Sequence, residues 1–370
     1  MNSEPIYSVR KYKPNDEYQI ISLLREVFDE WPKIDLECSP IDYWRWRYLD
    51  TPIKINNTVV AENEEKIIGT LHGTALNVKV GKNNYLGQVG SDAAVHPDFR
   101  RLGVYTNLSK LKSKMHEEYG YQILYWLTFN PIILNSHAWE EREVFSFTHP
   151  LTSLIRIHDV DSHLKYNSYK NHDLVLKYGY LGSKTINRIK YKKTSEEFNG
   201  IKVHEITRFD NTINAFWETV KQHYVFSVNK TDDYLNWRYC DNRGGEYRVL
   251  LAREDGKILG YCVYKINHFI KEYPVGYIIE VLAFPNREDV VKTLIDEALK
   301  RLDSMKINVV HAKTVKENSY ENIFKQFGFV DALKKTYVNF CPVNIGEDLE
   351  KFVKASPDLI NFQYGDVEQF

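Results

Sequence analysis

VHPDFRRLGVYTNL, residues 95–108, joins a strand-like run, GQVGSDAAV (87–95), to a helix-like one, TNLSKLKSKMHEEYG (106–120). A strand that feeds a helix through a tight turn leaves the first N–H groups of the helix unpaired and pointing outward. The helix dipole adds partial positive charge at the same place, and the two effects together make an anion site. Gly103 lets a phosphate approach the backbone closely. Arg100 and Arg101 add charge beside it, and arginine can hold a phosphate through two hydrogen bonds. The turn from Arg100 to Tyr105 is therefore suited to a pyrophosphate. Solvated arginines on an ordinary strand-to-helix turn would use the same residue types, so the surroundings have to decide. Tyr105 is also bulky for a position where such turns usually carry a small residue.

The surroundings are repeated. DYWRWRYLD (42–50) returns as DYLNWRYCD (233–241), a shift of 191 residues. The same shift lays VVAENEEKIIGTL (59–71) on LLAREDGKILGYC (250–262) without a gap. Each unit continues with a strand-like run, a Pro, a helix, another strand and a short helix. Val104, Leu108, Leu111 and Met115 fall at helical spacing after Pro97, with Gly120 as the stop. Val291, Leu294, Ala298 and Leu302 do the same after Pro285. A repeat this long means a duplicated domain rather than a solenoid. The expected division is 1–160, a joining segment 161–200, 201–345, and a tail 346–370 with one short helix. In the second unit the turn reads PNREDVVKTL (285–294). It lacks the Gly and carries Glu288 and Asp289, which would repel phosphate.

Composition narrows the function classes. The chain has 370 residues with 43% hydrophobic and 27% charged residues, the profile of a folded globular protein. A net charge of −1 gives no electrostatic basis for nucleic-acid binding. No run reaches the apolar length of a membrane span. Cys38, Cys240, Cys262 and Cys341 form no CxxC pair and read as reduced thiols of a cytoplasmic protein. HDVDSH (158–163) lacks a recognised metal-ligand spacing, so no metal site is assigned.

AAVHPDFRRLGVYTNL (93–108) resembles the coenzyme A-binding motif of the GNAT superfamily of N-acyltransferases, R/Q-x-x-G-x-G/A, with Arg100, Gly103 and Tyr105 on its marked positions. YSVRKYKPNDEYQIISLLREVF (7–28) resembles the first strand and helix of that fold, and residues from about 5 to 342 resemble a tandem GNAT pair. The resemblance implies an α/β fold of two mixed sheets flanked by helices, and transfer of an acyl group from acetyl-CoA or another acyl-CoA to a primary amine of a small molecule. An amino sugar is the acceptor that family analogy suggests. It also implies cofactor contacts at Ala94, Val95, Arg100, Arg101, Leu102, Gly103, Val104, Tyr105 and Asn135, with oxyanion donors near Ala94 and Val95. Asp92 is the candidate base. His137 and Tyr105 are candidate proton donors, because the family's usual Tyr position is Arg142 here. Trp44, matched by Leu235 in the second unit, is the candidate acceptor contact, whereas Trp46 and Tyr48 recur as Trp237 and Tyr239 and read as packing residues. Two other readings stay open: a Fem-type transferase using aminoacyl-tRNA, and a catalytically silent binding protein.

Overall fold

A computed structural model describes residues 6–127, 144–146, 149–158, 163, 165, 200–268, 271, 273–305, 307–343 and 345–367. The first repeat unit supplies β1 (Ser8–Lys11), α1 (Asp16–Phe28), α2 (Pro40–Tyr48), β2 (Val59–Asn63), β3 (Lys66–Val80), β4 (Asn83–Val95), α3 (Val104–Tyr119), β5 (Ile123–Leu127), β6 (Phe145–Ser146) and β7 (Leu151–Ile157). The second supplies β8 (Lys202–Ile206), β9 (Phe226–Val228), β10 (Tyr247–Glu254), β11 (Lys257–Asn267), β12 (Val275–Ala283), a helix at Glu288–Ser304, β13 (Val309–Val315), a helix at Ser319–Gln326, β14 (Val330–Thr336) and β15 (Val338–Pro342).

The strands form two mixed α/β sheets. The first runs β1-β2-β3-β4-β5-β15-β6 with β9 added on β3, and the second runs β14-β7-β13-β12-β11-β10-β8. The orders are the same apart from β9, except that the units exchange their last strands. β15 lies between β5 and β6, and β7 lies between β13 and β14. Each sheet is therefore completed by the other half of the chain.

Burial follows the pattern of the sequence. In the first sheet, Ile20 and Leu24 of α1 and Trp44 and Tyr48 of α2 cover Val60, Ile67 and Ala94 on one face. Val104, Leu108 and Met115 of α3 cover Val59, Ala61, Ile68 and Leu71 on the other. The α3 helix stops at Gly120, whose φ of 72° is the left-handed cap that glycine adopts without strain. In the second sheet, Val291, Leu294, Ala298 and Leu302 pack on Leu250, Cys262 and Val281. The largest apolar cluster lies between the sheets. It joins Val78, Val89 and Tyr125 to Val249, Tyr261 and Ile279, with Phe352, Phe362 and Tyr364 of the tail among them.

The two copies of the D-Y-x-x-W-R-Y motif meet there. Trp46 Nε1 donates to Trp237 O at 3.0 Å, and Trp237 Nε1 donates to Trp46 O at 3.1 Å. The indoles stack with centroids 5.1 Å apart. The motif thus builds a self-complementary contact inside one chain, in the way a twofold interface does between chains.

Candidate active site

β4 and β5 pair in parallel only from Gly87↔Ile123 to Val89↔Tyr125. Beyond that point they separate, and β4 continues to Val95 with one edge that no strand among the described residues pairs. A cavity of about 310 Å³ fills the split. On one side it is lined by Tyr105, Ser109, Lys112 and His116, a stripe along α3. On the other it reaches Phe28, at the end of α1, and His72, which touches α2. The cavity therefore passes through the sheet from one covered face to the other.

At the mouth of the cavity, no side chain caps the N-terminus of α3 and its first turn carries no acidic residue. Gly103 precedes it with φ of 79°, and a Cβ there would meet only the Tyr7 hydroxyl, at 3.6 Å. Arg101 is also left-handed, with φ of 65°. Arg100 and Arg101 are exposed, and Arg100 Nε donates to Val95 O at 3.3 Å. Leu102 is exposed and its carbonyl accepts from Tyr7. Val104 is buried, so its backbone alone can face a ligand.

The β4 edge sorts the two predicted oxyanion donors. His96 N donates to Ile68 O at 2.8 Å, and an antiparallel ladder alternates. Ala94 accordingly turns its amide to β3, and Val95 turns its N–H and C=O to the open edge. The Arg100 bond to Val95 O agrees with this. Ala94 is thus corrected from donor to packing residue, buried against α1 and α2.

A bulge sets Asp92. The β3–β4 register slips between Thr70↔Ala94 and His72↔Ser91, and Asp92 takes φ of 41°. Bulges re-aim side chains in this way. Asp92 lines the cavity, and its carboxylate accepts from Tyr48 Oη at 2.6 Å and lies 3.5 Å from Arg47 Nη1. Its carbonyl meets His72 Nδ1 at 2.9 Å. His72 Nε2 faces Trp44 Nε1 at 3.0 Å. An indole N–H can only donate, so the imidazole proton resides on Nδ1. Burial pushes the His72 pKa down to about 4. With both nitrogens engaged, this neutral ring positions Asp92 rather than accepting a substrate proton.

Trp44 requires a correction. It is 0% exposed, and its indole N–H is held by His72, so it stands behind the site and not in contact with an acceptor. Tyr48, read from the sequence as packing alone, also reaches Asp92. Tyr105 does line the cavity, and burial raises its phenol pKa. His137 and Asn135 lie outside the described residues.

The sequence reading missed the polar end of the cavity. Tyr105, Ser109, Lys112 and His116 fall at i, i+4, i+7 and i+11, one helical face. That period was the available signal. Lys112 Nζ donates to Asn57 O at 3.0 Å and to Asn57 Oδ1 at 3.2 Å, and burial lowers its pKa to about 7. His116 Nε2 meets Gln88 Oε1 at 3.0 Å, and Asn57 Nδ2 donates to the same oxygen.

The second sheet has the same split, closed differently. β12 and β13 pair only from Val275↔Val309 to Ile278↔Ala312. Beyond it, Val281 N donates to Gln363 Oε1 at 3.0 Å and Gln363 Nε2 donates to Val281 O at 2.8 Å. A side-chain amide from the tail thus pairs with the open strand edge. At the helix that follows, Arg287 is bound to Asp289 at 2.7 Å, so the first turn carries its own anion.

Residues 8–141 match the family described as Acetyltransferase (GNAT) domain, and residues 210–329 match Acetyltransferase (GNAT) family. The chain carries two GNAT domains in tandem and belongs to that superfamily. These domains support an N-acyltransferase in general, one that takes an acyl-CoA. No curated protein matches the sequence. Among solved structures, a GCN5-related N-acetyltransferase from Anabaena variabilis shares 12% identity with a TM-score of 0.61, covering 92% of this chain and 73% of that one. Saccharomyces cerevisiae N-myristoyltransferase with bound myristoyl-CoA shares 10% identity with a TM-score of 0.60, covering 92% and 83%. At these identities the likeness is one of fold. No helix among the described residues is long and apolar enough to cross a membrane.

Proposed function

We propose that the chain transfers a short acyl group, acetyl in the first instance, from acyl-CoA to a primary amine of a small molecule, using the first domain alone. The observation that carries this reading is the cavity that crosses the first sheet beside the uncapped N-terminus of α3. Pyrophosphate would sit on that helix end with Arg101 beside it. The pantetheine arm would enter the split and pair with the open edge of β4. The polar floor at Lys112, His116 and Gln88 supports a short acyl group, since a long alkyl chain there would lie against polar groups it cannot pair with. In the second domain the tail already pairs with the corresponding strand edge.

In the reaction, the acceptor ammonium first gives a proton to Asp92, directly or through one water. The amine nitrogen then attacks the thioester carbon, and the Val95 N–H faces the oxygen that gains charge. As the C–N bond forms, the nitrogen gives up its second proton to water, the C–S bond breaks and the thiolate takes up a proton. Tyr105, on the cavity wall, is the candidate donor. Calorimetry with acetyl-CoA on the intact chain and on an Arg101→Glu, Gly103→Asp double variant tests the reading. Binding to the intact chain and loss in the variant are expected. Absence of binding to the intact chain refutes it.

A further inference from the structure

The polar end of the first-domain cavity is a chain of side chains whose hydrogen-bond direction is fixed. Lys112 Nζ donates to Asn57 O at 3.0 Å, to Asn57 Oδ1 at 3.2 Å and to Leu71 O at 3.5 Å. A lysine ammonium can only donate, so Asn57 turns its oxygen to Lys112 and its Nδ2 away. That Nδ2 donates to Tyr121 Oη at 2.9 Å and to Gln88 Oε1. His116 Nε2 lies 3.0 Å from the same Gln88 oxygen. The oxygen of Gln88 is thereby engaged twice, and its Nε2 is left at the end of the chain.

Gln88 Nε2 makes no hydrogen bond among the described residues. Gln88 is only 3% exposed, yet this nitrogen is not one of the sealed, unpartnered atoms of the interior. The surface it keeps opens on the cavity that Gln88 lines. Two glycines give its place along the sheet. A Cβ at Gly73 would fall on the Gln88 amide, so the amide lies over Gly73. Gly73 pairs with Gly90, and Gly90 lines the cavity. The amide thus leans along β4 toward the reacting end. Asp92, the candidate base, lies two residues beyond Gly90, roughly 7 Å along the strand.

A buried donor without a protein partner calls for an acceptor. A hydrogen bond takes up roughly 3 Å of the distance to Asp92. That leaves roughly 4 Å along the strand, the extended span of four acyl carbons. We infer that the acyl group transferred is a four-carbon chain with oxygen on its end carbon, held there by Gln88 Nε2. The inference rests on the N-acyltransferase reading, which sets the thioester beside Asp92, and it names the acyl group of that reaction. An acetyl group reacts at the same place but ends short of the donor and leaves it to water. Every acceptor of Lys112 is a neutral oxygen, so the chain starts at an ammonium that no carboxylate among the described residues neutralises. Hydrogen bonds linked in one direction polarise one another, and a terminal carboxylate gains most from such a chain.

The test is calorimetry on the intact chain, Gln88→Met and Gln88→Glu with butyryl-CoA, 4-hydroxybutyryl-CoA and succinyl-CoA, which differ only at the end carbon. Both oxygenated thioesters should bind the intact chain at least about tenfold more tightly than butyryl-CoA, the scale of one buried donor left unpaired, with succinyl-CoA first. Gln88→Met removes the donor and should bring the three affinities together. Gln88→Glu keeps the oxygen that Asn57 and His116 use, so it retains the fold even where Gln88→Met does not, and its carboxylate should turn the preference against succinyl-CoA. Equal binding of the three thioesters, tightest binding of butyryl-CoA, or an oxygen preference that survives in both variants overturns the inference. Unacylated coenzyme A on the same samples separates the two claims. Its binding without an oxygen preference among the thioesters removes the inference and keeps the transferase reading. Failure of coenzyme A and of every thioester to bind removes that reading as well.

Discussion

Replacing Lys112 by Met should flatten the dependence of stability on pH between pH 7 and 9. Lys112 is 6% exposed, and its ammonium reaches only carbonyl and amide oxygens, those of Asn57 and Leu71. Burial lowers its pKa from 10.5 to about 7. Between those values the unfolded chain holds a proton that the folded chain has released, so the contribution of this group makes stability rise with pH. Below pH 7 both states carry the charge and the cost of burying it is present in full. Above 10.5 neither state does, and the cost vanishes. Linkage with these two pKa values makes the folded state about 2 kcal/mol more stable at pH 9 than at pH 7 through Lys112 alone. The assay is urea unfolding at pH 7, 8 and 9, with the difference in unfolding free energy taken between wild type and Lys112→Met. The variant should lose that slope and gain most over wild type at pH 7. Parallel pH profiles for the two proteins would show that the ammonium is not desolvated as the structure requires.

Other perturbations probe other parts of the molecule. Gln363→Leu leaves the Val281 N–H and C=O without partners and should cost about 2–3 kcal/mol in unfolding free energy; an unchanged melting profile would show that the tail amide does not close the second split. A double-mutant cycle with Trp46→Phe and Trp237→Phe removes the reciprocal indole bonds, and a coupling of about 1 kcal/mol is expected, against zero if the two tryptophans act independently. Asp92→Asn should lower kcat by about a hundredfold while acetyl-CoA affinity holds. A retained kcat assigns the base elsewhere.

What could be read from the sequence was what local chemistry dictates. The turn at Arg100–Tyr105, the stripe that became α3 and its stop at Gly120 depend on residues a few positions apart, and all appear as expected. Burial of Trp46 and Tyr48 followed from their recurrence as Trp237 and Tyr239. The same comparison misled at Trp44. Its partner Leu235 is also fully buried, so the two differ in size and not in environment. The bulge at Asp92 left no mark because any residue can be the extra one in a ladder. The exchange of β7 and β15 was equally silent. LTSLIRI (151–157) has the apolar pattern of a covered strand in either sheet, and only tertiary packing assigns it to the far one.

Gln363 shows why the contrast between the two clefts needed the structure. The acidic first turn at Glu288 and Asp289 is a sequence-level reason for the second domain to reject phosphate. It says nothing about how the split itself is satisfied. Any split between parallel strands leaves backbone N–H and C=O groups that must find partners once water is excluded. The first domain keeps those groups of β4 beside an open cavity, where a bound amide-containing arm can pair with them. The second pairs Val281 with the amide of Gln363 from its own chain. A glutamine amide presents the same donor and acceptor as a peptide group, so its identity in the tail carries no local signature of this role. The same tail segment brings Gly365 and Asp366 to the wall of a space of about 40 Å³ between the domains, beside Trp46 and Arg238. Closing one cleft and shaping the region beside the other are thus one packing event, and the two domains cannot be separated without undoing both.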